Sequence, residues 1–228
     1  MLIIGERYRQ KLEQGRRIDP SSVIWLPDNP ALDKRVAGHA DLSVFRADDR
    51  TILAAEGIYP HIVNLLTNRG YYVYIAVRQG AKYPEDVGLC VCTTGKYTIF
   101  NPKTIDSLAR RFLNGRCVEV TQGYTKCSVC VVTDDAIITA DRVIAERALN
   151  AGMDVLTIEP GHIFLEGFET GFIGGASYRM DEHTIAFTGT LDQHPDKEKI
   201  LQFLGKHDVT PIYLTDGPIF DMGGAILV

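Results

Sequence analysis

Apolar positions along this chain follow two rhythms, short β-branched runs and stretches of helical spacing closed by glycine. Between Tyr59-Pro60 and Gly70, the residues Ile62, Val63, Leu65 and Leu66 form one apolar stripe. Proline suits a first helical turn, where its missing N–H has no partner, and glycine accepts the left-handed conformation that closes a helix. The same design predicts helices over 101–115, with Ile105, Leu108 and Phe112 on one face, over 141–152 and over 194–205. A shorter, more polar helix is predicted over 6–15. After each closing glycine comes an apolar run that reads as a strand: 23–26, 72–77, 117–120, 155–158 and 212–214.

Four of these helices are preceded by a hairpin signal, two short strands around a polar turn at Asp48-Asp49, Thr94-Gly95, Asp134-Asp135 or Asp181-Glu182. Aligning the four hairpins brings Asp41, Gly88, Lys126 and Gly174 into equivalent places. The run 223–228 supplies the first strand of a fifth unit, and 1–4 its second. The order strand–strand–helix–strand recurs about every 40–50 residues, as repeat architectures do. The pattern predicts an α+β fold, a five-fold pseudo-symmetric α/β propeller of ββαβ units closed into a ring, forming a single domain over 1–228. The units run over about 1–37 with 219–228, 38–84, 85–121, 122–170 and 171–218. The competing reading is an α+β domain without repeats.

At 228 residues, 45% hydrophobic and 23% charged, the chain has the composition of one soluble globular domain. Its net charge of -5, with no basic stripe, argues against nucleic acid as a partner. No run is long and apolar enough for a membrane span or a signal-peptide core. The five cysteines (Cys90, Cys92, Cys117, Cys127 and Cys130) are odd in number and sit on apolar runs. That suits reduced thiols and a cytoplasmic location better than a disulfide framework. Cys127 and Cys130, read as strand positions i and i+3, point to opposite faces, which argues against a shared metal or a disulfide. Cys90 and Cys92 share a face but lack the further ligands of a structural zinc site. The reading requires no metal and no cofactor.

The segment Gly38-His39-Ala40-Asp41-Leu42-Ser43-Val44-Phe45 is similar to the His-x-Asp-x-x-Phe segment of arginine deiminases. Thr125-Lys126-Cys127-Ser128-Val129 is similar to the nucleophile segment of dimethylarginine dimethylaminohydrolases, two repeats further on as in those enzymes. With the five-fold repeat, these segments make the chain resemble the pentein superfamily of guanidine-modifying enzymes, as a divergent member. The resemblance implies a thiolate that attacks a guanidinium carbon, a histidine that protonates the departing amine and then activates water, and carboxylates that hold the cation. It implies Cys127, His39 and Asp41 as catalytic residues. Asp221, Glu169 and Lys126 are expected to bind a small guanidino or amidino substrate.

Two differences from the family pattern bear on this expectation. Laid residue on residue, the family's cysteine falls on Lys126, with Cys127 one place later. A one-residue slip on a strand turns a side chain to the opposite face, so an irregular strand start is needed to bring Cys127 to the axis. The acidic positions flanking the two Gly-Gly pairs read Ile173, Ala176, Met222 and Ala225, with Asp221 the nearest substitute.

His39 and Asp41, two apart on an extended segment, would share a side, letting the carboxylate orient the imidazole. Lys126 beside Cys127 would lower the pKa of its thiol. His162, Glu166 and Glu169 read as a polar rim around a central pocket, and 196–199 as a solvated helix face. The alternative function is a non-catalytic pentein that binds a ligand or a macromolecular partner. Translation initiation factor 6 proteins are similar in size and share one repeat-like segment, from Gly88 to Thr104.

Overall fold

The computed structural model describes residues 1–76 and 79–228. The described residues contain fifteen strands in five three-stranded sheets. The chain opens with β1 (Leu2–Gly5), α1 (Arg9–Gly15) and β2 (Val23–Leu26). There follow α2 (Ala40–Ser43), β3 (Val44–Arg46), β4 (Thr51–Ala54), α3 (Pro60–Asn68) and β5 (Tyr72–Ile75). Next come β6 (Cys92–Thr93), β7 (Tyr97–Phe100) and β8 (Arg116–Glu119). The fourth group is α4 (Thr125–Ser128), β9 (Val129–Val131), β10 (Ala136–Thr139), α5 (Arg142–Asn150) and β11 (Asp154–Thr157). The last is β12 (Ser177–Arg179), β13 (Thr184–Phe187), α6 (Lys197–Lys206), β14 (Thr210–Tyr213) and β15 (Ile226–Leu227).

Every sheet has one plan. A central strand pairs antiparallel with a short first strand and parallel with the strand that follows the crossover. Thus β4 pairs with β3 through Phe45↔Leu53 and with β5 through Ile52↔Val73. The first sheet is assembled from both chain ends, since β1 pairs antiparallel with β15 through Leu2↔Leu227 and parallel with β2. The central strands are buried on both faces: Ile52 and Leu53, and Ile137 and Ile138, have no exposed surface. This explains why they read as continuous apolar runs and not as alternating ones.

Five hydrophobic clusters each span two sheets. Ile3 and Ile24 of the first sheet pack with Ile52 and with Ile62 of α3. Phe45 and Leu53 pack with Val91 and Phe100. Ile99 and Val118 pack with Ile137 and Ile144, and Cys130 and Ile138 with Ile185 and Leu204. Ala186 and Tyr178 of the last sheet pack with Ile4 of the first and with Leu12 of α1.

Three local expectations are corrected. Over 101–115 the only helical turn is a 3-10 turn, Ala109–Phe112. The Asn101 side chain accepts from Lys103 N (2.9 Å), and Asp106 Oδ1 accepts from Leu108 N (2.7 Å) and Ala109 N. These side chains satisfy the backbone locally and compete with an α-helix. By contrast, Asp141 caps α5 by accepting from Ile144 N at 2.9 Å, and that helix forms. The segment 196–199 is not wholly solvated: Asp196 is buried and accepts from Glu159 N (2.6 Å) and Lys199 Nζ (2.5 Å). Finally, the segments containing Asp41 and Cys127 begin as single helical turns, α2 and α4, and become extended only at Val44 and Val129. Val77, the end of the strand expected over 72–77, lies outside the described residues.

Candidate active site

The helical turn at α4 decides where Cys127 points. Ser128 N donates to Tyr124 O (2.9 Å), and Thr125 Oγ1 donates to Cys90 O (2.5 Å), tying the turn to the preceding sheet. In this conformation neighbouring residues diverge by a helical angle. Cys127 lines a cavity of about 440 Å³ shared with His39, Asp86, Tyr124, Phe172 and Asp221. Lys126 lines a different cavity, among Val44, Thr93, Val131, Ser177 and Ile226 of the five first strands. The strand-based face argument therefore does not apply at this position, nor does its corollary for Cys127 and Cys130.

Asp41, in the equivalent turn α2, lies beside this thiol: Cys127 Sγ donates to Asp41 Oδ2 at 3.0 Å. Cys90 Sγ is 3.6 Å from Cys127 Sγ. His39 precedes the turn and Asp41 lies inside it, so the two do not share one extended segment as the sequence pattern expected. The carboxylate facing the imidazole is Asp221, with Oδ1 3.9 Å from His39 Nδ1. His39 Nε2 and Asp41 Oδ1 are buried without hydrogen-bond partners. All five residues are at most 2% exposed.

The two Gly-Gly pairs form the wall behind these groups. Asp221 Oδ1 accepts from Gly223 N and Oδ2 from Phe172 N, both at 2.9 Å. Asp41 N donates to Gly223 O at 3.2 Å. Gly223 has φ +73°, and a Cβ there would stand 2.4 Å from His39 Cβ. A Cβ on Gly175 would meet Asp221 Oδ1 at 2.0 Å. Only glycine allows this approach of backbone to imidazole and carboxylate.

Burial sets the protonation states. The Cys127 thiol is held well above its ordinary range by the Cys90 hydrogen bond, by burial and by the Asp41 charge. Burial, reinforced by Asp221, pushes the Asp41 carboxyl up to about 7, against the opposing Cys127 hydrogen bond. Burial lowers the pKa of His39, and the Asp221 charge offsets part of that. At neutral pH the site holds a protonated thiol and a neutral imidazole. An entering cation would favour thiolate and carboxylate alike.

The mouth of the cavity is aromatic and acidic. Tyr124 stacks on Phe172, with ring centroids 6.0 Å apart, and lies 5.9 Å from Tyr83. Its hydroxyl donates to Asp86 Oδ2 at 2.6 Å, while Asp86 Oδ1 is buried and unpartnered. Glu169 and His162 are exposed and absent from the cavity lining, and Glu166 is exposed beside an adjoining cavity with Arg7 and Tyr8, which shares Arg35, Leu165 and Asp221 with the first. The sequence reading did not find Cys90, Asp86, Tyr124 or Phe172.

The fold is similar to that of several solved enzymes. A cysteine-to-serine variant of the dimethylarginine dimethylaminohydrolase from Pseudomonas aeruginosa, complexed with citrulline, aligns with TM-score 0.56 and 8% identity over 94% of this chain and 91% of that one. An amidinotransferase of saxitoxin biosynthesis from Microseira wollei aligns with TM-score 0.58 and 9% identity, covering 94% and 88%. A C. jejuni agmatine deiminase variant with substrate bound gives TM-score 0.52 and 10% identity, covering 94% and 87%. This protein has the pentein fold. No curated protein matches the sequence. Residues 3–226 match the family DUF6873, described as a family of unknown function, and the chain belongs to that family.

Proposed function

We propose that this protein modifies a small guanidino or amidino compound at a C–N bond, with Cys127 as nucleophile and His39 as acid–base. The observation that carries the reading is the Cys127 Sγ to Asp41 Oδ2 contact of 3.0 Å, in a cavity that His39 and Asp221 also line. Sulfur bonds to the central carbon while His39 takes the thiol proton and passes it to the departing amine as the C–N bond breaks. Water activated by His39 then cleaves the C–S bond in a hydrolase; an amine acceptor does so in a transferase. Asp41 and Asp221 would neutralise a planar cation, and that cation lowers the cost of the thiolate. Lys126 and Glu169 are left outside this assignment. A second reading, a pentein that binds without turnover, is favoured by the burial of the resting thiol, 2% exposed and protonated.

We also infer that the five units form one domain closed into a ring. Supporting this, each sheet shares a hydrophobic cluster with the next, the last with the first, and all five first strands line one cavity of about 270 Å³. Deleting residues 224–228 should then lower the melting temperature of the whole chain in a single transition.

The functional test is ammonia or amine release from a panel of guanidino compounds, comparing wild type with Cys127→Ser and His39→Ala. A haloacetamidine provides a probe independent of the natural substrate, and should alkylate buried Cys127 ahead of exposed Cys117. Release that survives Cys127→Ser unchanged, or alkylation confined to Cys117, overturns the assignment.

A further inference from the structure

Cys90 has no part in the chemistry just proposed, yet its sulfur lies 3.6 Å from that of Cys127. Asp41 Oδ2 is 3.0 Å from Cys127 Sγ, and one donor atom from each of the three residues lies within 4.8 Å of the others. We propose that Cys90, Cys127 and Asp41 form a binding site for a thiophilic divalent metal ion of the zinc or cadmium type, with its fourth coordination position open to the cavity.

Three observations support it. Metal–sulfur bonds of about 2.3 Å in a tetrahedral site place two sulfurs roughly 3.8 Å apart, so the thiols already stand near the required spacing. Asp41 Oδ1 is buried with no hydrogen-bond partner, although a buried carboxylate oxygen ordinarily has one. The donors sit in an apolar shell of Leu32, Val36, Leu42, Val87 and Leu165, a low-dielectric setting in which a divalent ion offsets the negative charge that three ligands gather. Two thiolates and one carboxylate suit zinc or cadmium and not calcium or magnesium, which take oxygen ligands. Binding converts both thiols to thiolates, and their protons, with any that the Asp41 carboxyl carries, leave to solvent. If Cys127 is the nucleophile, as proposed above, the ion occupies its sulfur and blocks turnover reversibly.

Cadmium is titrated into the full chain carrying Cys117→Ser, which removes the exposed thiol, and the ultraviolet thiolate-to-cadmium absorption is followed. The expected result is saturation at one ion per chain, displacement by zinc, and no response to magnesium. Losing a ligand should cost at least the roughly 10–100-fold in affinity that losing an outer-shell partner costs, so Cys90→Ser and Asp41→Asn should each weaken binding by that much. Circular dichroism establishes that the variants are folded. X-ray absorption at the zinc edge of the wild-type chain needs no variant and should show two sulfur neighbours. Zinc without sulfur neighbours, or undiminished affinity in folded Cys90→Ser, overturns the site. Ammonia release by the metal-free protein is a separate readout that bears on Cys127 as nucleophile alone.

Discussion

Asp41 is the group whose replacement is most informative, because its burial makes the fold less stable exactly where the site needs a charge. Its carboxyl, ordinarily at 3.8, is pushed up to about 7 in the folded chain. Between these values the native state holds a proton that the unfolded state has lost, so stability falls as pH rises. The contribution is fully present below 3.8 and is lost as pH passes through about 7. At about 1.36 kcal/mol per pKa unit, the loss between pH 5 and pH 8 is roughly 2–3 kcal/mol. Asp41→Asn leaves a neutral side chain of the same shape and abolishes this dependence. Urea unfolding of both proteins at the two pH values gives four free energies. The wild type should lose roughly 2–3 kcal/mol more than the variant between them. Any constant packing cost of the amide cancels in that difference. Parallel pH dependences would refute the reasoning, since they would mean that the carboxylate ionises in the fold as readily as in water.

Three further outcomes follow from the packing. Gly223→Ala, at φ +73° with its new methyl 2.4 Å from His39 Cβ, should cost about 1–3 kcal/mol in backbone strain and abolish turnover, as read by thermal melts and the ammonia assay. Leu53→Ala, in the fully buried centre of β4, should cost about 2–5 kcal/mol in denaturant unfolding. Asp141→Ala removes the cap of α5 and should cost about 1 kcal/mol, with increased amide exchange confined to the first turn of that helix.

Much of this architecture was legible in the sequence, because its signals are local. Glycine stops and the β-branched runs after them located the strand that follows each crossover, the hairpin signals located the central strands of four sheets, and their register anticipated that 223–228 would pair beside the first strand. The segment 101–115 misled for a local reason too: Pro102 and Gly115 frame it like a helix, but Asn101 and Asp106 hydrogen-bond their own backbone. At the site, His39, Asp41, Cys127 and Asp221 lie near one another, with a pairing the sequence pattern did not give. Strand periodicity put His39 with Asp41 and turned Cys127 away. One helical turn at each segment pairs Asp41 with Cys127, and leaves Asp221 to face His39. Cys90 was invisible as a neighbour of Cys127 because 37 residues separate them, and no periodic pattern reports a contact across two sheets.

The junction of the chain ends has a consequence for how the protein can be rewired. Met1 N donates to Val228 O at 2.7 Å, and Leu2 pairs with Leu227, so both ends lie side by side within one sheet. A short linker would bridge them with little displacement, and new ends could be opened at the exposed Asp216-Gly217 turn. In that circular permutant the three strands of the first sheet lie on one continuous stretch, 217–228 followed by 1–37. Every hydrophobic cluster would keep its residues while the order in which the first and last sheets emerge during synthesis changes. The same native contacts could then be reached by a different sequence of folding events, separating what the contacts require from what the present chain order supplies.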